Sequence, residues 1–100
     1  MQEVTLLVTY TTKPGCAQAF VNDVAATGVL EAIRAEEGCR GYSYYLPADG
    51  SDAVLLVERW ASRALQQAHL QQPHMETIAA IKAAYVEATE VSLLASACES

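Results

Sequence analysis

Four side chains able to do chemistry fall within seventeen consecutive positions: Glu58, Trp60, His69 and His74. They include the only Trp of the chain and both of its His. An indole offers a flat apolar face on which a planar ring stacks. An imidazole gains and loses a proton near neutral pH. A carboxylate on a strand either orients a neighbour by hydrogen bonding or exchanges protons itself. These residue types together suit acid–base chemistry on a small aromatic molecule. Each also has a structural role open to it: Trp60 as core packing, Glu58 as an acceptor for backbone amides or partner of an Arg, His74 as a capping residue. A helix dipole favours a bound proton at the C-terminal end and disfavours it in the first turn. His69, near a helix end, is therefore the better proton acceptor, and His74, just after Pro73, the more structural of the two.

A metal centre is not expected. His69 and His74 are five residues apart with Pro73 between them, so they do not share a helical face, and no Cys or second acid has ligand spacing to them. The three Cys, at 16, 39 and 98, are odd in number and scattered, with no CxxC pair. They read as reduced thiols. A GxGxxG fingerprint for a flavin or nicotinamide cofactor is absent.

The elements that must position the cluster follow from periodicity and turn signals. Glu3 to Thr12 is β-branched and apolar and predicts a first strand, ended by Lys13-Pro14-Gly15. Cys16 to Glu37 predicts a helix, with Asp23, Thr27, Glu31 and Arg34 as its polar stripe and Val21, Val24, Ala25 and Ala32 roughly opposite. Phe20 and Leu30 fall off the apolar face, so a kink near Gly28 is expected to bring both inward. Cys39 to Pro47 and Ala53 to Trp60 predict two strands joined by a hairpin turn at Asp49-Gly50. Ser62 caps a short helix to about Gln71, and Pro73 opens another with Met75, Ile78, Ile81 and Tyr85 on one face. Val86 to Ala95 predicts a fourth strand. The order β-α-β-β-α-β is the ferredoxin-like split βαβ arrangement, an α+β fold with a four-stranded antiparallel sheet. Residues 1–95 are expected to form one domain and 96–100 a short polar C-terminal tail.

The strand from Ala53 to Trp60 is apolar on both faces. Val54, Leu56, Glu58 and Trp60 point one way, and Ala53, Leu55, Val57 and Arg59 the other. Helices in this fold cover only one face of the sheet, and a solvated second face would be polar. A second copy of the same sheet is the economical cover, which predicts a homodimer packed face to face.

Composition narrows the partners. The chain of 100 residues has a formal net charge of −6, and 52% of its residues are hydrophobic. An acidic surface repels phosphate, so no nucleic-acid partner is expected. Neither a basic amphipathic stretch nor an apolar run near the roughly 18 residues that span a bilayer is present, so no membrane partner is expected. The first residues do not resemble a signal peptide, and a cytoplasmic location is the expectation.

The ordered set "TKPG", "EEGCRGY", "VERW" and "ALQQAHLQQPHM" resembles the antibiotic biosynthesis monooxygenase domain, and within it the small quinol monooxygenase branch. The resemblance runs from about Thr5 to Leu94. It implies the dimeric α+β barrel, in which Glu58 and Trp60 face a cavity between sheet and helices and His69 approaches its mouth. It implies an oxygenase that works without a cofactor. His69 would take the phenolic proton of a small quinol or other phenolic aromatic compound, Trp60 would stack on the ring and Glu58 would assist, after which the electron-rich substrate reduces O2 itself. Tyr42, Tyr44, His74 and Leu56 are the substrate-contacting candidates. Two departures narrow the chemistry. The first strand lacks the Asn of the haem-degrading branch, and Leu56 stands where anthrone oxygenases carry Asn. The same cavity also suits a binding or stress-response protein without turnover, or an isomerase of a small non-aromatic metabolite.

Overall fold

The apolar run Val4–Thr12 forms β1, which pairs antiparallel on one side with β3 (Ala53–Trp60) and on the other with β4 (Val86–Leu94). A further strand, β2 (Cys39–Tyr45), pairs antiparallel with the outer side of β3, giving the order β2-β3-β1-β4. This is the ferredoxin-like α+β arrangement expected from the element order. The structure is a computed structural model and describes residues 2–94. The end of the expected first domain at residue 95, the polar tail at 96–100 and Cys98 lie outside the described residues.

The helix expected from Cys16 to Glu37 is two helices, α1 (Ala17–Ala26) and α2 (Val29–Arg34). Gly28 separates them with φ at +79°, a left-handed conformation that costs glycine nothing. Thr27 stitches the break, its Oγ1 donating to the Val24 carbonyl at 2.7 Å and accepting from the Val29 amide at 3.2 Å. The reorientation buries Phe20 and Leu30, as the expected kink requires. Ala25 and Ala32 are exposed, contrary to expectation, because the break rotates the apolar face toward Phe20, Val24, Val29 and Ile33.

Between β2 and β3 the chain turns at Pro47–Gly50, with the Gly50 amide donating to the Pro47 carbonyl at 3.2 Å. β2 itself stops at Tyr45, two residues before the expected end. Ser62 caps α3 (Arg63–His69), its hydroxyl accepting from the Leu65 amide. The helix ends at His69 rather than Gln71. After a turn carrying Pro73, α4 (Met75–Tyr85) runs back across the sheet and passes directly into β4.

Alternation then divides the sheet. Leu6, Val8, Tyr10, Tyr42, Val54, Leu56, Glu58 and Trp60 are buried on the helix side. On the other face Leu7, Leu55 and Val57 are half-buried and Tyr45 is exposed in the single chain. Apolar side chains thus populate a face that no helix covers.

Candidate active site

Register sets the floor of the site. Glu58 lies opposite Leu6 on β1 and Tyr42 on β2, while Leu56 lies opposite Val8 and Tyr44. Above this floor, α3 and α4 leave a cavity of about 300 Å³. The sheet contributes Leu6, Val8, Tyr10, Tyr42 and Glu58 to its lining, α3 contributes Arg63, Gln66 and His69, α4 contributes Met75, Ile78 and Lys82, and β4 contributes Thr89 and Val91. The volume is at the lower end for small-molecule sites.

His69 is the last residue of α3, and its imidazole is 1% exposed. One ring nitrogen is committed. Nδ1 lies 3.1 and 3.0 Å from the two carboxylate oxygens of Glu36. A carboxylate only accepts, so the hydrogen bonding assigns the Nδ1 proton to this contact, and in the neutral ring Nε2 is left as the acceptor. Glu36 also accepts from His74, whose Nε2 is 2.6 Å from Oε2. Glu36 reaches this position because the chain tightens at Gly38, with φ at +82°, between α2 and β2. A Cβ on Gly38 would stand 2.5 Å from Leu65 Cδ1, so only glycine lets α3 approach this closely.

Trp60 is fully buried. Its ring lies 4.6 Å from that of His69, with the planes tilted by 34°. Its Nε1–H donates to Glu58 Oε1 at 3.0 Å. Tyr42 meets the imidazole edge-on, 5.7 Å between centroids. The imidazole is therefore fixed by a carboxylate at Nδ1, an indole at one face and a phenol at the side.

Burial dominates the electrostatics. It pushes Glu58 above its ordinary 4.5, more than offsetting the indole donor, and so favours the protonated acid. Burial likewise raises Tyr10 and Tyr42, and pushes Tyr44 up to about 12. The phenols around the cavity keep their protons at neutral pH. The Tyr44 hydroxyl is buried and has no hydrogen-bond partner among the described residues. Nor do any three His, Cys, Asp or Glu side chains among the described residues form a group suited to hold a metal ion.

The structure brings Glu58, His69 and Tyr42 together on the cavity wall. Trp60 stands behind His69 instead of on the wall, because α3 returns close enough to insert the imidazole between indole and cavity. Leu56 is fully buried in the floor beneath, and Tyr44 is not part of the lining. His74 occupies the residue before α4 but makes no cap hydrogen bond; its side chain turns to Glu36 instead. Sequence reasoning missed Glu36, Tyr10, Gln66, Arg63 and Lys82. Tyr10 had a signal, since it shares the parity of Leu6 and Val8. Glu36 had none, as two adjacent acids at a helix end read as solvated.

Residues 3–81 match the sequence model of the family described as antibiotic biosynthesis monooxygenase. The chain is 30% identical, over 101 aligned positions, to the "Probable quinol monooxygenase YgiN" of Escherichia coli K12, covering 91% of this chain and 88% of that one. The solved structure of Rv0793 from Mycobacterium tuberculosis is 28% identical, with a TM-score of 0.80 over 95% of each chain. PA3566 from Pseudomonas aeruginosa, at 24% identity, shares the fold with a TM-score of 0.82, covering 96% of this chain and 95% of that one.

Proposed function

Because the chain belongs to the antibiotic biosynthesis monooxygenase family, we propose that its cavity oxygenates a small quinol or phenolic aromatic compound directly with O2, with His69 as the base. The observation that carries this reading is the fixed imidazole: Nδ1 held by Glu36, the ring backed by Trp60, and the side chain on the cavity wall. Nε2 takes the proton of a bound hydroxyl, and Glu36 steadies the imidazolium that results. The phenolate is electron-rich enough to pass one electron to O2. Recombination forms a bond between a ring carbon and one oxygen atom, giving a ring hydroperoxide. Its O–O bond then breaks, one oxygen staying on the ring and the other leaving as water with two protons from the substrate. For a hydroquinone, quinol plus O2 gives hydroxyquinone plus water, so the balance calls for no further reductant.

Tyr10 and Tyr42, kept protonated by burial, are donors for the substrate oxygens. Glu58 holds the indole that backs His69, and burial raises its pKa, which favours the form that can also donate to the cavity floor. Trp60, Leu56, Tyr44 and His74 act from behind this wall. The working unit on this reading is a homodimer, with a second copy over Leu7, Leu55 and Val57. A cytoplasmic setting suits the free Cys16 and Cys39.

Oxygen uptake with a panel of hydroquinones, followed by mass spectrometry of the product from isotopically labelled O2, tests the reading. One labelled oxygen in the product and a rate reduced on the order of 10²-fold in His69→Ala are expected. Uptake no faster than autoxidation, or an unchanged rate in His69→Ala, would overturn it. Tight binding without uptake would assign the cavity to ligand storage or sensing.

A further inference from the structure

The chain has twelve acidic residues against six Lys and Arg. Arg40 and Arg59 pair with Glu3 at 2.9 Å each. Arg34 donates twice to the Tyr42 carbonyl. Arg63 and Lys82, like the exposed Lys13, take part in no ion pair among the described residues. Arg63 and Lys82 line the cavity, one from the first turn of α3 and the other from α4. Lys82 is turned to the sheet, its Nζ 5.2 Å from the centroid of the Tyr10 ring.

The rest of the polar lining is also rich in donors. Gln66 is 4% exposed, and its amide oxygen already accepts from Gln67 Nε2 at 2.8 Å, which leaves its NH2 end for a ligand. Tyr10 and Tyr42 carry hydroxyl protons. The one acid of the lining, Glu58, has an oxygen occupied by the Trp60 indole. Leu6, Val8, Met75 and Ile78 supply apolar walls.

We infer that the cavity selects an aromatic compound bearing an anionic oxygen group, its ring between the apolar walls and its anion held by Arg63 and Lys82. This rests on the proposed oxygenation site and names the kind of phenol that site admits: one with a carboxylate or a phosphate beside the reacting ring. Arg63 is exposed and Lys82 half-buried over the Tyr10 ring; neither is neutralised by an ion pair, and with the Gln66 amide donor they complement an anion better than a neutral ring. The net charge of −6 repels an anion at long range, so its binding would depend on the local positive potential of Arg63 and Lys82 at the cavity.

Binding of compounds that lack the second hydroxyl tests the charge inference separately from turnover. Isothermal titration at low salt would compare 1-hydroxy-2-naphthoate, 1-naphthyl phosphate and neutral 1-naphthol on the unmodified protein. The carboxylate, the phosphate or both should bind about tenfold or more tighter than the naphthol. The stronger of the two identifies the preferred anion. The advantage over naphthol should shrink in 0.5 M NaCl and disappear in the double variant Arg63→Gln, Lys82→Gln. Equal or tighter binding of the naphthol, or no measurable binding of either anion, would overturn the inference. Anion-selective binding by a protein that consumes no O2 would sink the oxygenase reading and leave this one standing.

Discussion

The indole of Trp60 supports the imidazole of His69 from behind, 4.6 Å away, and at the same time donates its one N–H to Glu58. One aromatic residue thus ties His69 on α3 to Glu58 on β3, without itself reaching the cavity. A Trp that served as a substrate wall would have to be open to the cavity, and this one is fully buried.

Trp60→Phe is therefore expected to act on stability and on kcat. The lost N–H leaves the buried Glu58 without its donor, at a cost of about 1–3 kcal/mol. The smaller ring leaves space behind His69, which adds about 1 kcal/mol. Thermal melts and steady-state kinetics check this. A raised KM with unchanged kcat and melting temperature would put the indole against the substrate instead.

Glu36→Gln should lower kcat by about tenfold while His69→Ala lowers it by about a hundredfold. Gln can offer its amide oxygen to one imidazole, but it cannot neutralise the imidazolium that the proposed mechanism forms. The double variant should be no slower than His69→Ala alone, because Glu36 acts through that ring. Additive losses in the double variant would show that Glu36 acts on the substrate directly.

Glu58 makes stability depend on pH. Its proton is held more tightly in the folded chain than in the unfolded one, because burial raises it above 4.5. As pH climbs from 4.5 through the folded-state value, the unfolded chain releases this proton first, and stability falls over that window. Glu58→Gln keeps an oxygen for the Trp60 indole and has no proton to lose. Its melting temperature should be flatter than that of the parent chain as pH rises above 4.5, which differential scanning calorimetry can measure. Parallel curves would show that another group governs the slope.

The uncovered sheet face predicts a species of about twice the 10.7 kDa chain mass at micromolar concentration. Leu55→Asp places a charge at the middle of that face and should shift sedimentation toward monomer. A parent chain that sediments as monomer at every concentration would leave Leu7, Leu55 and Val57 as plain surface.

Much of this fold was legible because its signals are local. The two-residue alternation of β1 and β3 fixed which side chains face the helices, and Gly28 marked the point where one helix becomes two. Ser62 marked the start of α3. The site was less legible because it depends on distances between elements. Nothing in "EEG" tells Glu36 from Glu37; the tight passage at Gly38 against Leu65 decides which carboxylate turns inward. Parity placed Trp60 on the correct face, but whether it met the cavity or a helix depended on how closely α3 returned. Nothing in the sequence marked Lys82 and Arg63, because their place at the cavity depends on how α3 and α4 lie over the sheet.

The close pairing of Trp60 and His69 also gives the protein an optical property. Trp60 is the chain's single indole, so ultraviolet-excited emission comes from one place, the rear wall of the cavity. A protonated imidazole at contact distance drains the excited indole by electron transfer, whereas a neutral one does so far less. Emission should dim as His69 takes up a proton and recover as it gives one away. The step on which the proposed chemistry turns can then be followed in the intact protein, without a label and before any substrate is known.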